Sequence, residues 1–151
     1  MRTLFFLACV LSAAFAVGDI WANCGTSSDH LQIEQVTIIP DPPVIGQNVT
    51  ITFVGYLNEE VTSGTVSLNL KWNGFTILNQ SYSLCDLVKD YEKCPIPAGD
   101  ISLTVTEYLP TAIPKGTYTG TVKAFDQNNQ EIMCITLDLK FTSQLPTITI
   151  V

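Results

Sequence analysis

Basic residues are scarce in this sequence. Seven Lys and Arg stand against fourteen Asp and Glu in 151 residues, a formal net charge of −7. Without clustered cations there is no footprint for a nucleic-acid backbone. Histidine is scarcer still, with His30 alone in the chain. A Ser-His-Asp hydrolase needs an imidazole beside its nucleophile; beside Asp29, near the N-terminus, His30 reads instead as a solvated surface side chain. Cys-x2-Cys spacing is absent, so the cysteines outline no zinc site, and the reading includes no metal and no cofactor. Gly-rich phosphate loops and EF-hand patterns are missing as well. Fourteen acids could in principle supply the carboxylate pair of a glycosidase. Nothing singles out two of them, and Glu59-Glu60 falls in a turn where adjacent charges are ordinarily solvated. Charged residues are only 14% of the chain and apolar ones 46%, the reverse of an acidic disordered protein. On chemistry alone this is a binding module, not an enzyme.

The N-terminus is where apolarity concentrates. Arg2 is followed by Leu4-Phe5-Phe6-Leu7-Ala8-Cys9-Val10-Leu11, then by small residues ending in Ala14-Phe15-Ala16. A positive start, a short apolar run and a small-x-small site make a secretory signal peptide, expected over 1–16. The run is too short for the ~20 residues that a bilayer requires. The tail Leu145 to Val151 is shorter still. The mature chain, 17–151, is expected to be one domain. Losing Arg2 leaves six basic residues against fourteen acids, a net charge of −8.

Secretion decides how the remaining cysteines are read. Cys24, Cys85, Cys94 and Cys134 are even in number and destined for an oxidising compartment. Four cysteines allow three connectivities. The most economical joins Cys85 to Cys94 within one local loop and Cys24 to Cys134 across the two ends. The sequons Asn48-Val49-Thr50 and Asn79-Gln80-Ser81 mark Asn48 and Asn79 as candidate N-glycosylation sites.

Along the mature chain the hydrophobic period is two. Val66, Leu68, Leu70 and Trp72 alternate with Thr65, Ser67, Asn69 and Lys71, and the same alternation runs through 133–141. Each is a strand with one buried and one wet face. Further strands are expected at about 30–39, 48–56, 74–82, 101–109 and 117–126, with one possible helical turn at 84–91. Turn signals separate them, and Asn73-Gly74 is the strongest because a type I′ hairpin needs φ > 0 at both central residues. Seven short strands with regular turns predict an all-β, immunoglobulin-like antiparallel β-sandwich. The strand at 65–72 is expected to have 101–105 and 118–122 as partners.

The residues at the turns carry a further signal. In order along the chain come Cys24, Pro40-Asp41-Pro42-Pro43, Gly46-x-Asn48-x-Thr50, Leu84-Cys85, Cys94-Pro95-Ile96-Pro97-Ala98-Gly99, Ile113-Pro114-Lys115-Gly116-Thr117-Tyr118 and Cys134. Together they resemble the ML (lipid-recognition) domain family. Among its members are secreted phosphatidylglycerol/phosphatidylinositol transfer proteins and the lysosomal cholesterol carrier lost in Niemann–Pick type C disease. The resemblance covers Trp21 to Phe141, and the family pairing agrees with the two bridges above. The cholesterol carrier has a third bridge near its N-terminus for which this chain has no cysteines, which favours the phospholipid branch. The resemblance implies a sandwich whose sheets hold a lipid between them. It implies a monomer that makes transient contact with membranes and works outside the cell or in the endolysosomal lumen. Transfer of phosphatidylglycerol or phosphatidylinositol leads; a sterol carrier and a lipid-presenting recognition protein are the alternatives. On that implication Leu68, Leu70, Trp72, Leu103, Val105, Tyr118 and Val122 line the lipid space. Phe53 joins them, although Val54 and Tyr56 compete with it for the inner face. The Cys85–Cys94 loop, with Leu87, Val88 and Tyr91 among charges, reads either as a point of membrane contact or, through Leu87 and Val88, as a cover over one end of the core.

Overall fold

A computed structural model describes residues 20–141. The expected signal segment and the apolar tail both lie outside the described residues. Eight strands and one short helix follow in order: β1 (Trp21–Asn23), β2 (Leu31–Ile39), β3 (Asn48–Leu57), β4 (Gly64–Trp72), β5 (Phe75–Ser83), α1 (Leu84–Val88), β6 (Gly99–Tyr108), β7 (Gly116–Asp126) and β8 (Glu131–Phe141). They form two antiparallel sheets, β1-β8-β7-β4-β5 and β2-β3-β6. Strand β1 is the one that periodicity misses, because three residues are too few to show a pattern. It pairs with β8 from Trp21↔Leu137 to Asn23↔Ile135.

One expectation about neighbours is corrected. Strand β4 lies between β7 and β5, whereas β6 pairs with β3 in the opposite sheet. Alternation identifies the buried face of a strand but carries no information about which strand lies beside it. The chain here leaves the edge of one sheet through α1 and enters the edge of the other. Ser83 caps the helix by accepting from the Asp86 backbone N–H.

Each sheet has a dry face and a wet one. On β2-β3-β6 the outer face carries Thr50 against Thr106 and Thr52 against Thr104, with hydroxyls 3.0 and 3.2 Å apart. Cross-strand threonines of this kind satisfy one another where no core is available. At the β4–β5 hairpin, Asn73 and Gly74 have φ of 47° and 87°, the left-handed pair that the turn demands. Disulfides join Cys24 to Cys134 and Cys85 to Cys94. The first spans 110 residues and fastens the start of the described chain to β8.

The connections are distributed unequally. The β1–β2, β3–β4 and α1–β6 segments cross between the sheets at one end of the sandwich, and only the β6–β7 segment crosses at the other. The crowded end is laced by backbone bonds: Val61 and Ile96 exchange N–H···O contacts of 2.9 and 2.8 Å, and Asn58 N–H donates to His30 O. The buried apolar cluster, comprising Leu31, Leu57, Val61, Val66, Leu84, Ala124 and Ile132, sits there. We call this the closed end.

Candidate functional site

The cluster defines the interior. Val66 and Ala124 mark the inner face of the five-stranded sheet, and their cross-strand rows continue as Leu68↔Val122, Leu70↔Gly120 and Trp72↔Tyr118. In the other sheet Leu57 marks the inner face, and Phe53↔Leu103 and Ile51↔Val105 continue it. Register therefore puts Phe53 inside and its rivals Val54 and Tyr56 outside. All eight sequence-predicted cavity residues stand on the two faces that look into the sandwich.

They divide into two groups along its length. Phe53, Leu68 and Val122 pack against the closed-end cluster. Leu70, Trp72, Leu103, Val105 and Tyr118 lie beyond it, and all of these but Tyr118 are only half-buried. A filled sandwich core would bury inward side chains of this size. Between Leu70 and Leu137 the inner face carries Gly120, so one position in the middle of the sheet projects no side chain at all. Val36, Ile38, Ile51 and Leu139 share these faces and were not among the predicted cavity residues. Their alternation was readable, but assigning them to the same space needed the register.

The end opposite the cluster, here called the open end, leaves Leu70, Trp72, Leu103 and Val105 half-buried on the inner faces, although Val49, Tyr118 and Phe141 are buried there. Its single crossover, residues 109–115, is fastened at the rim: Trp72 Nε1–H donates to Lys115 O at 3.1 Å and Tyr118 Oη–H donates to Pro114 O at 2.8 Å. The Tyr118 ring also meets Phe141 edge-on with centroids 5.5 Å apart. Exposed large hydrophobics collect in this half of the sandwich: Ile39, Ile51, Phe75, Ile77 and Tyr108, with Phe75 at 74% exposure.

The Cys85–Cys94 loop combines both expected features: Leu87 and Tyr91 are exposed, with Tyr91 Oη–H donating to Glu107 at 3.2 Å, while Val88 and both cysteines pack against the closed-end cluster. This loop bridges the flank of the sandwich between the edge strands β5 and β6. The candidate glycosylation residues Asn48 and Asn79 are both exposed, Asn79 on the outer face of the edge strand β5. A separate groove of about 460 Å³ crosses the outer face of the larger sheet, bordered by Asn69, Lys71, Thr119, Thr121, Thr136 and Asp138. Trp21, Ala22, Gly120 and Leu137 complete its lining, so the groove is mixed in polarity and lies on the opposite side of the sheet from the predicted cavity residues.

His30 is the second correction. Its side chain is 12% exposed, not solvated. Nδ1 lies 2.8 Å from Asn58 Oδ1, and Nε2 lies 3.0 Å from Gln130 Oε1, 3.4 Å from Glu59 Oε1 and 3.8 Å from Asp126 Oδ2. The turn acid Glu59 is likewise drawn in, with Oε1 fully buried. Sequence proximity to Asp29 gave no hint that a hairpin 100 residues later folds over this ring.

A family model described as the ML domain matches residues 18–141. A Dictyostelium discoideum protein that bears the name of a phosphatidylglycerol/phosphatidylinositol transfer protein is 43% identical over 139 residues, 92% of this chain and 96% of that one. The phosphatidylglycerol/phosphatidylinositol transfer protein of Aspergillus oryzae is 36% identical over 118 residues, 76% of this chain and 67% of its own. Among solved structures, a Niemann-Pick type C2 protein from Japanese carpenter ant aligns over 82% of this chain and 100% of that one, with a TM-score of 0.58 and 14% identity. Chicken MD-1 complexed with lipid IVa aligns over 82% and 88%, again with a TM-score of 0.58, at 19% identity. Both share the β-sandwich fold.

Proposed function

The chain belongs to the ML domain family, and from that premise we propose that it holds a phospholipid between its two sheets and transfers phosphatidylglycerol or phosphatidylinositol between membranes. The observation that carries this reading is the asymmetry of the interior. One end is packed around Leu57 and Val61, and the other presents half-buried apolar faces behind a rim tied by Trp72 and Tyr118. Acyl chains enter at the open end and lie along Leu70, Leu103 and Val105, with the headgroup left at the rim. Each methylene taken from water contributes about 0.8 kcal/mol, so ten support tight binding before the costs of ordering the chain. No catalytic group is needed for such a task.

Names of relatives support the choice of ligand, since the Dictyostelium and Aspergillus proteins carry this transfer activity in theirs. The exposed Phe75, Ile77, Ile39 and Tyr108 at the same end provide apolar contact with a bilayer during loading. On this reading the rim leads as the membrane-contacting surface, with the exposed Leu87 and Tyr91 of the Cys85–Cys94 loop as the alternative. The protein acts as a monomer, outside the cell or in the endolysosomal lumen, where its two disulfides persist. Two measurements test the function: vesicle-to-vesicle transfer of labelled lipid, and mass spectrometry of lipid extracted from the secreted protein. Accelerated transfer of phosphatidylglycerol or phosphatidylinositol is expected. Binding with no rise in transfer rate would instead make it a lipid presenter, and recovery of sterol alone would make it a sterol carrier.

A further inference from the structure

The group around His30 takes no part in holding lipid, yet it joins three separate segments at the closed end. His30 immediately precedes β2, Glu59 lies in the β3–β4 crossover, and Asp126 ends β7 at the β7–β8 hairpin. Asp126 is wholly buried, and its Oδ1 accepts the backbone N–H groups of Asn128 and Gln130, which form the hairpin turn. Its other oxygen, Oδ2, faces His30. Glu59 Oε1 has no donor other than what the imidazole or a shared proton can supply. Two carboxyl groups and two amide oxygens thus surround a single imidazole. A neutral ring carries one N–H and leaves one side of this ring of oxygens without a donor. An imidazolium carries two and serves both sides at once.

We propose that His30, Glu59 and Asp126 form a proton-operated latch that draws the closed end of the sandwich together as the surroundings become mildly acidic. The electrostatics agree with the geometry. Burial by itself disfavours the imidazolium, but hydrogen bonds to Asn58 and Gln130 and the negative charges of Glu59 and Asp126 outweigh it, and His30 is raised above its ordinary value of 6.5. A hydrogen bond to Asp126 and desolvation hold Glu59 above the usual carboxylate range. Burial would also raise Asp126, yet the Gln130 N–H, Glu59 and the Asn128 N–H overcome it and hold that carboxyl low. The site thus keeps one anion deep in the structure and gathers protons around it. Other charged groups of the neighbourhood are already engaged. Asp29 accepts from Thr26 Oγ1, and Glu131, whose backbone carbonyl receives the His30 N–H, pairs through its side chain with Lys123 at 2.9 Å.

The sign follows from the raised His30. Its stabilising contribution is fully present below the unfolded-state value and is lost as pH climbs through the folded-state value. Because His30 is the only histidine in the chain, its Hε1 proton gives a single imidazole resonance in an NMR titration. The midpoint is expected above 6.5, and lower in Glu59→Gln and in Asp126→Asn than in the unaltered protein. Should Asp126→Asn fail to fold, Glu59→Gln, at a side chain one-third exposed, decides the matter alone. In parallel, the Tm advantage of the unaltered protein over His30→Gln is expected to grow between about pH 8 and about pH 5.5. A midpoint at or below 6.5, a midpoint that neither substitution moves, or a Tm advantage that stays constant over this range overturns the latch.

Discussion

Position along the sandwich decides what a given apolar residue does. Leu57 and Leu103 are both leucines on the inner face of the smaller sheet, but Leu57 is 2% exposed inside the closed-end cluster and Leu103 is half-buried beyond it. Leu57→Ala is therefore expected to cost about 2–5 kcal/mol of stability, measured by denaturant unfolding. Val105→Trp tests the open half. In a close-packed interior such overpacking costs about 1–3 kcal/mol. Here the lipid-free protein is expected to keep its Tm while lipid binding falls. A variant that does not fold, or that folds and still carries lipid normally, removes Val105 from the cavity wall. Tyr118 combines two roles, since its ring lies on the inner face and its hydroxyl ties down Pro114. Tyr118→Phe keeps the ring and loses that bond, for an expected cost of about 1 kcal/mol.

Among the elements, the β4–β5 hairpin and the long-range disulfide make opposite contributions. The hairpin leaves Phe75 and Ile77 exposed and outside the buried core cluster. Replacing both by Ser is expected to leave the Tm unchanged and to slow lipid transfer between vesicles. An undiminished transfer rate would show that the open end does not face the membrane. The Cys24–Cys134 bridge contributes to folding by restricting the unfolded chain over 110 residues. Its removal by paired Ser substitutions is expected to lower stability by about 2–5 kcal/mol. The hairpin was legible because Asn-Gly between alternating strands has few other solutions. Strand β1 was not, and neither was the course of the 85–94 loop along the flank. Both depend on partners that lie far away in sequence.

At the level of the whole molecule, charge sets how the protein meets a membrane. Fourteen acids against seven basic residues oppose approach to an anionic bilayer at neutral pH. Protonation of carboxylates relieves that repulsion, so transfer between anionic vesicles is expected to accelerate as pH falls toward about 5. Added salt at neutral pH screens the same charges and should speed transfer too. A rate that is flat or declining between pH 7 and 5 would count against this electrostatic account. Acidification is thus expected to act through two sets of groups, exposed carboxylates across the surface and the His30 cluster at the closed end.

Local chemistry by itself was enough to determine seven of the eight strands, the sandwich class, the Asn73-Gly74 turn and the pool of residues able to face inward. A period of two, β-branched side chains and a left-handed dipeptide act over a few residues and need no partner to be read. What only the tertiary structure decided is which sheet each strand joins, that Phe53 and not Val54 faces inward, and that the inward apolar side chains are buried in the cluster at one end and half-buried beyond it. It also placed His30 against Glu59 and Asp126. All of these depend on register and on crossings between sheets, which bring together residues from 28 to 110 positions apart. A hydrophobic alternation is identical whether the space it faces is filled or hollow. The difference resides in the distance between two sheets, which no single strand specifies.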